Sequence, residues 1–259
     1  MFEDLRFEVD DHLGVLTLDR PSARNALRRQ TYRELTEVVR GLGDAGVRCL
    51  VITGADPAFC SGDDVKLIMA GPEAPGEELA TAPRLTPAAD ALLHTDVPVI
   101  AAVNGAAVGW GMELALMADV RVASDRARFG ELFVLRGLVS DAPGLGRLAQ
   151  LVGRERAAEL LFTGDVIDAS TAHQIGLVSR VVAHEELLTE SLGLARRIAA
   201  NPPLAVQALK HGLRDALDPD WNELGAWVSA KLARLFRTAD HREGVAAFLE
   251  KRPADYTGR

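Results

Sequence analysis

An α/β core followed by a helix-rich C-terminal region is the fold class that this 259-residue chain predicts. Three observations carry it. Short β-type runs, such as Cys49-Leu50-Val51-Ile52-Thr53 and Val97-Pro98-Val99-Ile100-Ala101-Ala102-Val103, lead through glycine-rich turns into sequence of helical character. Strand-type sequence lies almost entirely before Val182. From Glu185 onward, helical stretches over 185–200, 204–216, 221–236 and 242–249 are punctuated by Pro202-Pro203 and Pro219. The predicted division is a core over residues 1–195 and a helical region over 196–259 that docks or oligomerises.

The elements follow in order. Phe7-Glu8-Val9-Asp10 and Gly14-Val15-Leu16-Thr17-Leu18 alternate in polarity around Asp11-His12, the pattern of a hairpin. After a turn over 21–27, Leu35, Val38 and Val39 give residues 31–42 an apolar helical face. A strand over 49–53 precedes a short helix over 64–69, with Asp64 a favourable charge at its start. Residues 71–87 hold four prolines and read as a mobile loop. Helix over 88–94, strand over 97–103, helix over 111–117 and strand over 120–123 follow. Two short helical runs, 145–152 and 155–162, are separated by Gly153. Trp221 and Trp227 share a helical stretch and are expected to pack the C-terminal region.

With 29 Lys and Arg against 37 Asp and Glu, the net charge is −8, which speaks against nucleic acid as the main partner. Cys49 and Cys60 form neither a disulfide framework nor a metal-ligand spacing, so a reducing cytoplasmic setting is expected. The N-terminal residues lack the basic start and apolar stretch of a secretory signal. Residues 97–118 are apolar enough to suggest a membrane span, but Pro98, Asn104, glycines and Glu113 interrupt them, so a buried core segment and no membrane partner are expected. The six histidines are scattered and expected at the surface. Gly41-Leu42-Gly43-Asp44-Ala45-Gly46 matches a dinucleotide pattern, yet it follows a helix and precedes a strand, the reverse of what phosphate binding needs.

The chemistry concentrates in two turns. One is Ala58-Phe59-Cys60-Ser61-Gly62-Asp63-Asp64-Val65; the other is Asn104-Gly105-Ala106-Ala107-Val108-Gly109-Trp110-Gly111-Met112-Glu113. Each can leave backbone N–H groups free at a helix N-terminus. Two such turns facing one another would hold a developing oxyanion without a charged side chain. Glu113 adds a carboxylate one turn into its helix, a combination suited to an enzyme acting on a carbonyl compound. Ser61 does not sit in a nucleophile elbow. Asp63-Asp64 has no third ligand at metal spacing, so no metal is expected. Cys60 reads as a small packed residue.

These residues make the chain resemble the enoyl-CoA hydratase/isomerase, or crotonase, superfamily. The resemblance is collinear: Arg20 to Leu27, Ala58 to Val65, Ala101 to Leu116, Phe129 to Gly153, Leu161 to Asp165, Gly176 to Val178 and Glu243 to Glu250. It implies a crotonase-like spiral of ββα units, C-terminal helices that build a homotrimer or dimer of trimers, and an acyl-CoA substrate with no permanently bound cofactor. It implies the backbone N–H groups of Asp63 and Trp110 as donors to the thioester oxygen. Ala23, Arg24, Ala26, Ser61, Gly62, Asp63, Asp64 and Val65 would line the CoA arm, and Trp110, Leu132 and Phe133 the acyl pocket. Phe248 and Lys251 would reach the nucleotide end across a subunit interface.

The departures from the family pattern bear on the reaction. Asp63 stands where Ala or Gly is usual, and Trp110 where Gly is usual. Family hydratases use two glutamates; Glu113 falls on the first, whereas Phe133 falls on the second. Asp141 resembles the catalytic aspartate of the dienoyl-CoA and ring-opening isomerase branches. Glu113 and Asp141 are therefore expected on opposite sides of an acyl chain, moving a proton between carbons in a double-bond isomerisation. Burial beside Trp110 and Phe133 is expected to raise the pKa of Glu113. Hydration by Glu113 alone and non-catalytic acyl-CoA binding are the alternatives, and Asp141 has a further reading as the acid of a turn.

Overall fold

A computed structural model describes residues 2–71, 81 and 84–259. The chain opens with a hairpin, β1 (Leu5–Asp10) and β2 (Leu13–Leu18), turning at Asp11 and His12, whose φ values are 42° and 67°. Parallel strands β3 (Cys49–Gly54), β5 (Val99–Val103), β7 (Val120–Ser124) and β10 (Arg180–Val182) extend it into a sheet of order β1-β2-β3-β5-β7-β10. A second sheet has the order β4-β6-β8-β9, from Ala58–Cys60, Arg128–Gly130 and Ala106–Val108 as β4, β8 and β6, with Ile167–Asp168 as β9. Thus β3, β5 and β7 are each followed within a few residues by a short strand of the other sheet, the repeating unit of the core.

Among the described residues the helices are α1 (Arg29–Arg40), α2 (Pro87–His94), α3 (Trp110–Met117), α4 (Ala142–Val152), α5 (Arg154–Thr163), α6 (Ala169–Gln174), α7 (Leu187–Ala199), α8 (Pro203–Leu217), α9 (Trp221–Leu235) and α10 (Ala239–Glu250). A π-type turn, Val65–Met69, takes the place of the short helix expected over 64–69.

Alternation along the central strands explains the layering. Leu50, Ile52, Val99, Ala101 and Val103 face the larger core. Cys49, Val51, Ile100 and Ala102 face the other way, onto Leu13, Val122, Leu187 and Ala195. With both faces covered, β3 and β5 read as unbroken apolar runs. Helix α7 supplies the back cover, and position 195 falls within it.

The apolar stretch 97–118 divides into β5, β6 and α3, and every residue of α3 is buried. Among the described residues no helix is long and apolar enough to cross a membrane. Cys49 and Cys60 are buried and unpaired, and burial pushes both thiols up to about 12.

Two expectations are corrected. Trp221 is buried, but Trp227 is 48% exposed; six residues advance about 240° around a helix, onto a different face. His241 is buried rather than at the surface, its Nδ1 lying 2.7 Å from the Arg136 carbonyl oxygen, and desolvation lowers its pKa. Most of the proline-rich stretch 71–87 lies outside the described residues, while Pro87 opens α2.

Candidate active site

The site is assembled from loops that the two sheets hold together. Asn25, at φ 56°, donates through Nδ2 to the carbonyls of Ala55 and Ala58, each at 2.7 Å, and so ties residues 20–27 to the entry of β4. Leu27 N–H then donates to Gly62 O, and Asp64 N–H to Leu27 O, both at 2.8 Å. This pairing uses the groups on either side of Asp63 and turns its own N–H away from Leu27.

Gly62 has a φ of 82°, and a side chain there would come within 2.8 Å of Val108 O and 3.2 Å of Trp110 N. The two glycine turns are therefore in direct contact. Trp110 is the first residue of α3, where an N–H has no acceptor within its own helix.

A cleft of about 470 Å³ lies over these turns. Ala23, Arg24, Ala26, Ser61, Gly62, Asp63, Asp64 and Val65 line it, as do Trp110, Leu132 and Phe133. Lys66, Arg136 and Phe248 were not anticipated there as residues of the same chain. Arg24, Lys66 and Arg136 give the cleft positive charge, and the Arg136 guanidinium stacks 4.4 Å from the Phe248 ring centroid. Lys251, just beyond α10, is not among the lining residues.

Behind Trp110 lies a cluster of buried acids. The Trp110 indole Nε1 donates to Asp141 Oδ2 at 3.1 Å, and its ring meets Tyr32 edge-on at 4.8 Å between centroids. Tyr32 in turn donates its hydroxyl to Asp63 Oδ1 at 2.5 Å. Fully buried Glu113 accepts three hydrogen bonds: Oε1 from Ser140 Oγ at 2.7 Å and the Asp141 N–H at 2.8 Å, and Oε2 from the Gly144 N–H at 2.6 Å. A side chain at Gly144 would collide with Ser140 Oγ and Glu113 Oε1, so only glycine lets α4 close on the carboxylate. A second buried acid, Glu131, places Oε2 3.0 Å from Ser140 Oγ, while its Oε1 has no hydrogen-bond partner among the described residues.

Glu113 and Asp141 are brought together, but not as expected. They are neighbours joined through the Asp141 N–H, because the first turn of α4 folds over Glu113, and neither lines the cleft. Asp141 also caps α4, accepting from the Ala142 N–H at 2.8 Å through its other oxygen.

Burial is the first cause that raises the Glu113 pKa well above the usual carboxylate range, against the pull of its donors. Burial also raises Asp141, and pushes Asp63 up to about 6 and Glu131 up to about 8. Sequence reasoning missed Tyr32, Glu131 and Ser140. For Glu131 a signal exists: it is the sole acid in the otherwise apolar run Phe129 to Leu135.

Solved structures place this architecture. An enoyl-CoA hydratase/isomerase from Pseudoalteromonas atlantica superposes with a TM-score of 0.88 at 29% identity, covering 98% of this chain and all of that one. An enoyl-CoA hydratase from Mycobacterium avium subsp. paratuberculosis gives 0.88 at 25% identity over 99% of this chain and all of that one. The protein thus has the crotonase fold. In sequence, a crotonyl-CoA hydratase of Syntrophomonas wolfei is 36% identical over 261 residues, covering 100% of this chain and 99% of the relative. A probable enoyl-CoA hydratase of Rhodobacter capsulatus is 38% identical over 264 residues, with the same coverage. The enoyl-CoA hydratase/isomerase family model matches residues 8–259, and the chain belongs to that family of acyl-CoA enzymes.

Proposed function

We propose that this enzyme isomerises the double bond of an unsaturated acyl-CoA, holding an enolate with the N–H groups of Asp63 and Trp110 and moving the proton with Glu113 and Asp141. The observation that carries the reading is the acid pair itself, together with Phe133 on the cleft wall where a family hydratase would have its second glutamate. A phenyl ring cannot hold or deliver a proton, so two-glutamate hydration has no second partner at that position.

The steps follow from the chemistry of the groups. Two amides and the positive end of α3 stabilise charge on the thioester oxygen. Glu113 and Asp141 lie behind the Trp110 ring, so the acyl group meets them past that ring; there the Glu113 carboxylate takes a proton from the acyl carbon, and burial favours the neutral acid that results. The proton returns at a second carbon, from Glu113 or from Asp141. Because the Trp110 indole lies against Asp141, the acyl group reaches that carboxyl as the Trp110–Asp141 hydrogen bond opens. The CoA arm runs along 23–26 and 61–65, its phosphates drawn by Arg24, Lys66 and Arg136, and CoA enters as part of the substrate rather than as a resident cofactor.

Assembly as a homotrimer or dimer of trimers belongs to the same proposal. Leu209, Leu213 and Leu217 support it: they share one face of α8 and are 69%, 61% and 62% exposed in the single chain. A cytoplasmic location is supported by the two buried, unpaired thiols.

One observation favours a second reading, hydration by Glu113 alone: the Syntrophomonas relative, similar over its whole length, is named a crotonyl-CoA hydratase. An acyl-CoA panel with mass-spectrometric product analysis separates the two, an isobaric product supporting isomerisation and a gain of one water supporting hydration. Glu113→Gln is expected to lower kcat by roughly 10²–10⁴-fold and to abolish solvent deuterium incorporation. Unchanged incorporation would remove Glu113 from the proton path.

A further inference from the structure

The proposed reaction leaves one buried acid without a task. Glu131 is 1% exposed, and no cation pairs with it, with Glu113 or with Asp141 among the described residues. Its Oε2 lies 3.0 Å from Ser140 Oγ, a hydroxyl that also lies 2.7 Å from Glu113 Oε1, and the Glu113 carboxyl is its other polar neighbour among the described residues.

Counting protons orders this chain. A serine hydroxyl has one proton and can donate it to only one of two carboxylates. If both glutamates were ionised, one oxygen would face the Ser140 oxygen lone pairs unpaired in a buried site, at a large desolvation cost. Glu113 already receives the N–H groups of Asp141 and Gly144, donors that favour its charged form. Glu131 receives no backbone N–H among the described residues. The arrangement that satisfies both Ser140 contacts has Glu131 Oε2–H donating to Ser140 Oγ, and Ser140 O–H donating to Glu113 Oε1.

We infer that Glu131 is a positioning residue which stays protonated and, acting through Ser140, aims a hydrogen bond at Glu113 that holds it as the ready carboxylate. Ser140 is thereby locked in a single direction instead of swinging between two acceptors. The groups facing Glu113 are Glu131 after β8, Ser140 and Asp141 ahead of α4, and the Gly144 N–H within α4. The inference rests on the reading of Glu113 as the base, and its test has an arm that does not depend on turnover.

Infrared difference spectroscopy of the whole protein near neutral pH provides that arm. A protonated-carboxyl C=O band is expected in the parent. Glu131→Gln should remove it, Glu113→Gln should leave it, and Ser140→Ala, which takes away the acceptor, should shift its frequency. A band that survives in Glu131→Gln and vanishes in Glu113→Gln would put the proton on the wrong acid and overturn the assignment.

Kinetics give the second arm. A glutamine amide can donate to Ser140 as the neutral acid does, so Glu131→Gln should leave the acidic limb of the kcat/KM pH profile where the parent has it. Glu131→Ala removes the donor; kcat should drop about tenfold below the glutamine variant, as for one lost hydrogen bond, and the limb should move to higher pH. A limb moved to lower pH in Glu131→Gln would mean that a negative charge had been removed, and the inference would be wrong. If Glu113→Gln keeps full deuterium exchange, the base assignment itself fails, and with it the positioning role; the infrared bands then still report which acid holds the proton.

Discussion

The carboxyl groups of Asp63 and Glu131 are retained protonated in the folded chain at pH values where an unfolded chain would ionise them. Burial moves Asp63 from its ordinary 3.8 to about 6 and Glu131 from 4.5 to about 8. The sign follows from proton counting: between the ordinary and the raised value the native state binds the extra proton, so stability falls as pH rises. The loss begins near pH 4 and is complete above about 8. Melting temperature is therefore expected to fall between about pH 5 and pH 8.5, and the fall should be shallower in Glu131→Gln. Calorimetry of parent and variant across that range checks it; identical slopes would show that Glu131 titrates normally. Asp63 adds a polar group to the cleft, and Tyr32, holding its carboxyl at 2.5 Å, keeps its pKa from rising further.

Elements matter here through the contact between two turns. Gly62 allows that contact twice over, by its φ of 82° and by the absence of a side chain against Val108 O and Trp110 N. Gly62→Ala is expected to cost roughly 1–2 kcal/mol in backbone strain. It should also spread the two amides and lower kcat/KM by about 10²-fold or more, the scale of a misplaced oxyanion donor. Steady-state kinetics beside a denaturant melt separate the two effects, and a variant that melts early yet keeps kcat/KM would detach the turn from the reaction. These turns were readable in the sequence because glycines flanked by apolar runs mark a sharp change of direction. The strands β4, β6 and β8 were not, since three residues are too few for alternation to register. Nor was the acid cluster: Glu113, Glu131 and Ser140 meet only when α3, β8 and α4 pack, and nothing in local spacing announces that Ser140 touches both carboxyls. The position of Asp141 was readable, but its place beside Glu113 depends on how α4 closes.

For the whole molecule, the fold class was legible because β3 and β5 are apolar on both faces while α8 and α9 follow proline breaks. The role of α7 as the back cover of the sheet was less so, since its inward set is split between Leu187, Ser191 and Ala195. Helix α8 keeps its apolar residues outward, and none of its residues is buried in the single chain. Leu209→Glu combined with Leu213→Glu is expected to shift the sedimentation coefficient to that of a single chain; a parent that already sediments as one chain would refute the assembly. Trp110 carries a consequence of another kind. Its indole is held between Asp141 and the Tyr32 ring at the wall of the cleft. Trp221, the first residue of α9, is buried with its Nε1 donating to Asp218, whereas Trp227 is half-exposed. With Trp221 and Trp227 both replaced by phenylalanine, the tryptophan emission of the protein is that of a single ring at the cleft wall, so occupancy can be followed by light without a label or a coupled assay.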